Sequence, residues 1–233
     1  MTDGRPCWAD LTAGAGRDFY AAVCGWTFTD DGAVHHEAVA LADGRRVAGL
    51  GGPEGAPPGW TVYVAVDDAA GTAEAIEEAG GQVLHGPDDD GRGGLVVVAI
   101  DAGGAAFGVW ESDEHAAPVP WVAAASAEPG QTKAFYGTVL GWTHEPTDEP
   151  GTTTLHHDGD AFGAVVFAGD ALPHWLAHFP VADVDAAAAA TEAAGGSVVG
   201  KEDGKAVLED PTGARFAVTA RTAARAPRSS GPP

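Results

Sequence analysis

Phe19–Thr27 reads FYAAVCGWT, and Phe135–Thr143 reads FYGTVLGWT, 116 positions further on. The echo continues in order. Trp60–Val66 (WTVYVAV) is answered by Trp175–Val181 (WLAHFPV), and Ala79-Gly80-Gly81 by Ala194-Gly195-Gly196. Asp101-x-x-Gly104-Ala105-x-Phe107 is answered by Asp210-x-x-Gly213-Ala214-x-Phe216. Landmarks matched in order at near-constant offset identify a tandem duplication, which has to be recognised before any fold is assigned. Each half then serves as a position-by-position comparison for the other.

The 233 residues divide into halves of about 110, an ordinary size for a compact domain with its own core. The boundaries predicted are a first domain over 1–111, a linker over 112–118, a second domain over 119–222, and a disordered Pro/Ser/Gly-rich tail over 223–233. A hydrophobic content of 45% with no long apolar run predicts a soluble globular chain. The opening MTDGRPCWAD has neither a basic nor an apolar leader segment, so a cytoplasmic protein is expected. Twelve Lys+Arg against 34 Asp+Glu give a net charge of −22. That surface repels phosphate backbones and anionic lipid, which argues against nucleic-acid and membrane partners. Cys7 and Cys24 have no metal-type spacing and read as reduced thiols. An internal pseudo-dimer is expected to be a monomer or a weak homodimer.

Local patterns repeat with the motif. Residues 15–23 place Phe19, Ala22 and Val23 at helical spacing and stop at Gly25. Asp43-Gly44 and Asp158-Gly159 mark tight hairpins. In the first half, strands are predicted over 7–12, 33–41, 47–50, 61–66, 82–84, 95–100 and 105–110, with a second helix over 69–79. In the second half, strands are predicted over 121–125, 175–181, 198–199, 206–208 and 215–219, with helices over 129–140 and 184–194. The class is α+β: each half is two βαβββ units forming a curved antiparallel sheet, with helices outside and a concave face left for a ligand.

The aromatic pair followed by Val/Leu-Gly-Trp, the Val66-Asp67-Asp68-Ala69 and Val181-x-Asp183-x-Asp185-Ala186 runs, and the closing Asp-x-x-Gly-Ala-x-Phe resemble one known group. It is the vicinal oxygen chelate superfamily of glyoxalases, bleomycin-resistance proteins and extradiol dioxygenases, in a two-domain form similar to actinobacterial glyoxalase-like proteins. The resemblance spans residues 5–221 and implies tandem glyoxalase-like domains. It is a scaffold that carries many chemistries. In metal-using members, the ligands stand on the first strand, at the start of the strand before the second helix, and on the last strand. Carried over by motif, these positions are Trp8, Thr61 and Gly108 in the first half and Trp121, Leu176 and Ala217 in the second. None offers the imidazole, carboxylate or thiolate that a divalent metal needs. A one-residue change of register would bring Asp10 or His178 nearer without completing a set. No metal and no cofactor is expected.

Side chains alternate across a strand. If the carried-over positions face the cup, so do Trp8, Asp10 and Thr12, while Cys7, Ala9 and Leu11 pack under the helix. Likewise Thr61, Tyr63 and Ala65 face inward, and Val62, Val64 and Val66 enter the core. Gly108 and Trp110 face in on the last strand. The first cup then gathers Trp8, Asp10, Tyr63 and Trp110, a set suited to a flat, partly polar ligand. The second cup carries Trp121 and Ala123, then Leu176, His178 and Pro180, then Arg215, Ala217 and Thr219. Asp10 is replaced by Ala123 and Tyr63 by His178, so the cups differ in chemistry.

An imidazole is the natural acid/base group near neutral pH. His178 or Asp10 is the candidate acid/base, Tyr63 the group orienting a carbonyl or phenol oxygen, and the tryptophans the stacking surfaces. Of the doublets His35-His36 and His156-His157, only one member each can enter a cup; His156, Thr61 and Arg215 complete the ligand-binding candidates. The competing readings are exposed hairpin histidines and an Asp10 that braces a neighbouring loop. Ala13-Gly14-Ala15-Gly16 lacks the dinucleotide fingerprint, Ser126 and Ser229 lack a nucleophile-elbow setting, and Asp88-Asp89-Asp90 reads as a solvated loop. The expectation is a metal-independent enzyme using acid/base chemistry on an aromatic or polyketide-like small molecule, by isomerisation, cyclisation, dehydration or ring opening, in specialised metabolism. The alternative is a non-catalytic protein that sequesters an antibiotic.

Overall fold

Short apolar stretches punctuated by glycine fold each half into the same succession of elements. The computed structural model describes residues 4–12, 14–30, 38–51, 57–91, 93–112, 119–169, 171–202 and 204–221. His35-His36, the linker beyond residue 112 and the tail lie outside the described residues. The first half runs β1 (Pro6–Thr12), α1 (Arg17–Cys24), β2 (Thr27–Thr29), β3 (Ala38–Ala42), β4 (Arg45–Leu50), β5 (Gly59–Ala65), α2 (Ala69–Glu78), β6 (Gln82–Asp89), β7 (Leu95–Ile100) and β8 (Ala106–Glu111). The second runs β9 (Trp121–Ser126), α3 (Pro129–Leu140), β10 (Thr143–Pro146), β11 (Thr152–His157), β12 (Asp160–Phe167), β13 (His174–Val181), α4 (Val184–Ala193), β14 (Ser197–Glu202), β15 (Lys205–Glu209) and β16 (Arg215–Ala220).

Gly25 and Gly141 close α1 and α3 in left-handed backbone, with φ 71° and 69°. Asp68 and Asp183 cap the N-termini of α2 and α4 by accepting backbone N–H groups. The two Asp-Gly dipeptides turn their hairpins as expected, with Asp43 and Asp158 at φ 50° and 51°. The short edge strands β2 and β10 were not anticipated; three to four largely exposed residues carry little apolar signal.

Each half forms one eight-stranded sheet, ordered β2-β3-β4-β1-β5-β8-β7-β6 and β10-β11-β12-β9-β13-β16-β15-β14. Most neighbours are antiparallel, as expected. The first and last strands of each unit instead pair in parallel: β1 with β4, β5 with β8, β9 with β12, and β13 with β16. The helix returns the chain to its starting end, so the three-strand meander that follows finishes in the direction of the unit's first strand. No helix among the described residues is long and apolar enough to cross a membrane.

The helices lie on the sheet face opposite the cups. They stand outside each sheet, as expected, and α1 also packs on α4 and α2 on α3 across the halves. The main buried cluster joins residues of all four helices and both sheets, so the expected separate cores are one shared core. The repeated landmarks meet there reciprocally. Tyr20 donates to Asp210 at 2.9 Å, and Tyr136 donates to Asp101 at 2.9 Å, each reaching into the other half. Tyr20 packs on Phe216 and Tyr136 on Phe107, with ring centroids 5.4 and 5.3 Å apart. Trp26 and Trp142 stack on the same tyrosines. Trp175 donates its indole N–H to the Tyr136 hydroxyl, and Trp142 donates to the Gly4 carbonyl.

The two aspartates differ in balance. Burial raises the Asp101 carboxyl, and its hydrogen bonds do not offset this. Burial also pushes on Asp210, but donors from Ala15, Thr212 and Ala214 outweigh it and hold the group below the ordinary aspartate value. A buried hydrogen bond to a charged group is worth about 1.5–3 kcal/mol, so Tyr20→Phe and Tyr136→Phe should each lower unfolding free energy by that order in urea titrations. The Asp210 contribution is complete above the unfolded-state value and is lost as pH falls through its lower folded value. The penalty on ionised Asp101 is complete above its raised folded value and is relieved on acidification. From pH 7 to pH 3, the wild type should therefore lose stability relative to Asp210→Asn and gain it relative to Asp101→Asn.

Candidate functional site

The first cup is built on β1, β5 and β8. Trp8 stands opposite Tyr63, Asp10 opposite Thr61, and Tyr63 beside Gly108. Trp8, Val39 and Ala65 are buried there with Leu41, Tyr63 and Trp110, in a cluster separate from the main core. The expected quartet of Trp8, Asp10, Tyr63 and Trp110 is thus brought together. Val62, Val64 and Val66 enter the core, as do Ala9 and Leu11. Cys7 does not. A register shift between Pro6 and Trp8 turns it into the cup-side cluster, with its Sγ directed at the Tyr63 carbonyl at 3.5 Å.

The polar groups of this cup satisfy one another. Trp8 donates its indole N–H to Asp10 at 2.5 Å, and Trp110 donates to Asp90 at 2.8 Å. Burial raises the Tyr63 phenol well above its ordinary value, and the charge of Asp10 and a hydrogen bond to it add to the shift. The Tyr63 ring lies directly on Gly108, where a Cβ would come within 2.3 Å of it. Only glycine leaves room for that ring. Asp10 therefore braces two aromatic rings, close to its competing reading. Trp8 and Trp110 meet edge-on with centroids 6.3 Å apart, so they do not form a parallel clamp. Asp90 was read as part of a solvated loop; it is buried and also accepts the Gly94 N–H. Its place at a Gly-rich hairpin, where a carboxylate closes the turn, was the available signal.

The second cup places different groups at the same register. Trp121 stands opposite His178, Ala123 opposite Leu176, His178 beside Ala217, and Ala217 opposite Val207. Ala123, Leu176 and Ala217 form its apolar floor with Val207. His178 is 3% exposed, and neither ring nitrogen has a hydrogen-bond partner among the described residues. Burial, and then the charge of Lys205, lowers its pKa to about 4. The ring is neutral at pH 7, with one N–H and one lone pair uncommitted.

The remaining candidates are peripheral. Thr61 is half-buried opposite Asp10. Arg215 is exposed and held by Glu209 at 2.8 Å. The His156-His157 doublet follows a register shift after Leu155. His156 lies 3.7 Å from Glu145, while the His157 ring lies against Gly4. Neither is the exposed hairpin histidine of the competing reading. No hydrogen bond or ion pair joins His156 to His178, and β12 and β9 stand between their strands. The His174 ring bonds the Leu172 carbonyl at 2.8 Å. Lys205 was missed, although alternation along Lys205-Ala206-Val207-Leu208-Glu209 would have put it on this face.

The six positions carried over as metal sites hold two indoles, a hydroxyl, a hydrogen, an isobutyl and a methyl group. Among the described residues, no three His, Cys, Asp or Glu side chains converge as a metal would require. The residues present do not fit the family's divalent metal.

Known proteins match each half. Residues 13–109 match the glyoxalase/bleomycin resistance protein/dioxygenase superfamily, and residues 121–219 match the glyoxalase-like domain. CFP32 of Mycobacterium bovis, whose name assigns it provisionally to the glyoxylases, is 32% identical over 92% of this chain and 94% of its own. DnrV of Streptomyces peucetius, an anthracycline biosynthesis protein, is 33% identical over 92% of each chain. The Mn(II)-bound glyoxalase from Novosphingobium aromaticivorans superposes with a TM-score of 0.63 at 16% identity, over 94% of this chain and 82% of that one. The 2,3-dioxygenase LapB from Pseudomonas sp. KL28 gives 0.62 at 13% identity, over 98% and 95%. At such identities the solved structures speak to fold alone. Family matches in both halves, and relatives aligned along nearly their whole length, lead to one statement: the chain belongs to the glyoxalase/bleomycin resistance protein/dioxygenase superfamily, as two glyoxalase-like domains in tandem.

Proposed function

We propose that the chain is a metal-independent enzyme of specialised metabolism that performs acid/base chemistry on an aromatic, polyketide-like small molecule in its second cup. One observation carries this reading: among the described residues, His178 is buried, neutral and without a hydrogen-bond partner beside an apolar floor of Ala123, Leu176, Ala217 and Val207. Burying an imidazole without a partner costs free energy, and a ligand that engages it offsets that cost. Its lone pair accepts a proton from the substrate. The imidazolium, poorly held in this setting, returns the proton at a second atom. Such a shuttle serves isomerisation, cyclisation, dehydration or ring opening equally. Trp121, beside His178, supplies the stacking surface. The first cup, filled by Trp8, Tyr63 and Trp110 and satisfied internally, is the structural partner. The likeness to an anthracycline biosynthesis protein supports a polycyclic aromatic ligand class. The shared core, already a pseudo-dimer, supports a monomer, and we place it in the cytoplasm.

A second reading, sequestration without chemistry, is favoured by the aromatic content of the first cup. The two separate cleanly with anthracyclinones as probes, following binding by tryptophan fluorescence and conversion by mass spectrometry. Under the enzymatic reading, His178→Gln should lower turnover by about 10²–10⁴-fold while ligand binding persists. Asp10→Asn should leave turnover within a few-fold, and Trp121→Ala should weaken binding. If no probe is converted and binding falls with Trp8→Ala or Trp121→Ala, sequestration is the function. The protonated form of His178 is inactive as a base. The acid limb of kcat/KM should therefore turn over near pH 4, the value to which burial brings the group, and should be absent from the residual activity of His178→Gln.

A further inference from the structure

We propose that Lys205 and His178 together form a receptor for an acidic oxygen of the ligand, a phenolate or enolate. The inference rests on the second cup being the ligand site. Ala217 links the two residues in register: it stands beside His178 on β13 and opposite Val207 on β15, and Thr219, two residues on, stands opposite Lys205. Strands lie about 4.8 Å apart and rise about 3.4 Å per residue, so two strands across and two residues along separate the two Cα atoms by about 12 Å. The long lysine side chain shortens that span, and the residues between are the small Ala217 and Thr219. A planar ring system lying across them meets an imidazole on one side and an ammonium on the other.

The charges on this face favour that assignment. Arg215 is committed to Glu209 at 2.8 Å, whereas the Lys205 ammonium reaches Glu202 only at 4.0 Å, with both side chains largely in solvent. An exposed pair at that separation is worth little, so Lys205 is available to a better-placed anion. It is also close enough to His178 to act on the ring by its charge. A neutral imidazole donates its N–H to an anionic oxygen, and a nearby ammonium neutralises the charge, forming the strong charge-assisted class of hydrogen bond. The net charge of −22 repels anions from the molecule at large. The ligand therefore arrives as the neutral phenol or enol and releases its proton to solvent as its oxygen comes within reach of the Lys205 ammonium. The equivalent position in the first half, opposite Trp110, is Val96, so this receptor belongs to the second cup alone.

The test uses the full-length chain and two probes: alizarin, whose phenol and phenolate absorb at different wavelengths, and its dimethyl ether, which cannot ionise. The wild type should bind alizarin with its absorbance shifted toward the phenolate at a pH where free alizarin is still the phenol. Lys205→Met should abolish that shift and raise the alizarin Kd about tenfold, the loss of one charge-assisted contact. The ether's Kd should stay within twofold, and Lys205→Arg should retain the shift. Unchanged alizarin spectra and affinity in Lys205→Met overturn the receptor, as does an equal loss for both probes, since that marks a packing role. If the wild type binds neither probe, or binds both with no effect of Trp121→Ala, the aromatic-ligand reading of the second cup itself falls.

Discussion

Two tyrosine hydroxyls hold this molecule together. Tyr20 and Tyr136 each leave their own half to meet an aspartate at the start of the other half's last β-turn, and each packs on a tryptophan of its own half and a phenylalanine of the other. Buried hydrogen bonds to carboxylates are costly to leave unmade and geometrically demanding. They fix how the helices of one half lie against the sheet of the other. Everything on the cup faces inherits its position from that arrangement, because the strands carrying Gly108 and Ala217 follow directly from Asp101 and Asp210.

The duplication has consequently been put to two different uses. On the helix side, the halves remain alike because each supplies what the other needs: tyrosine to aspartate, ring to ring. On the cup side their residues differ. The first cup carries bulky groups whose polar atoms are paired off, Trp8 and Tyr63 with Asp10, and Trp110 with Asp90. The second carries alanines, a leucine and one imidazole with nothing to bond. The positions carried over from metal-using members hold no imidazole, carboxylate or thiolate in either half.

Much of the fold was legible from local chemistry. Asp-Gly turns, helix-stopping glycines and the alternation of Val62, Val64 and Val66 specify elements and faces through backbone preferences that act over a few residues. So were the quartet of the first cup and the Tyr63/His178 exchange, since alternation survives wherever a strand is regular. It failed at Cys7, where a bulge changes the parity of the strand, and no local signal announces a bulge. It also failed at Asp90, because a carboxylate in an acidic run looks solvated until the indole it holds is known.

The sequence by itself determined the duplication, the unit order and the side of each regular strand. These follow from spacing and residue type alone. Only the tertiary structure decided that the repeated aromatic motifs build one core shared by the halves, because that pairing joins residues 35 and 190 positions apart in the chain. Burial, too, is a property of the packed molecule. The same histidine on an open hairpin would be an ordinary solvated side chain. Enclosed beside Trp121, Leu176 and Ala217, and within reach of the charge on Lys205, it stays neutral and unpaired.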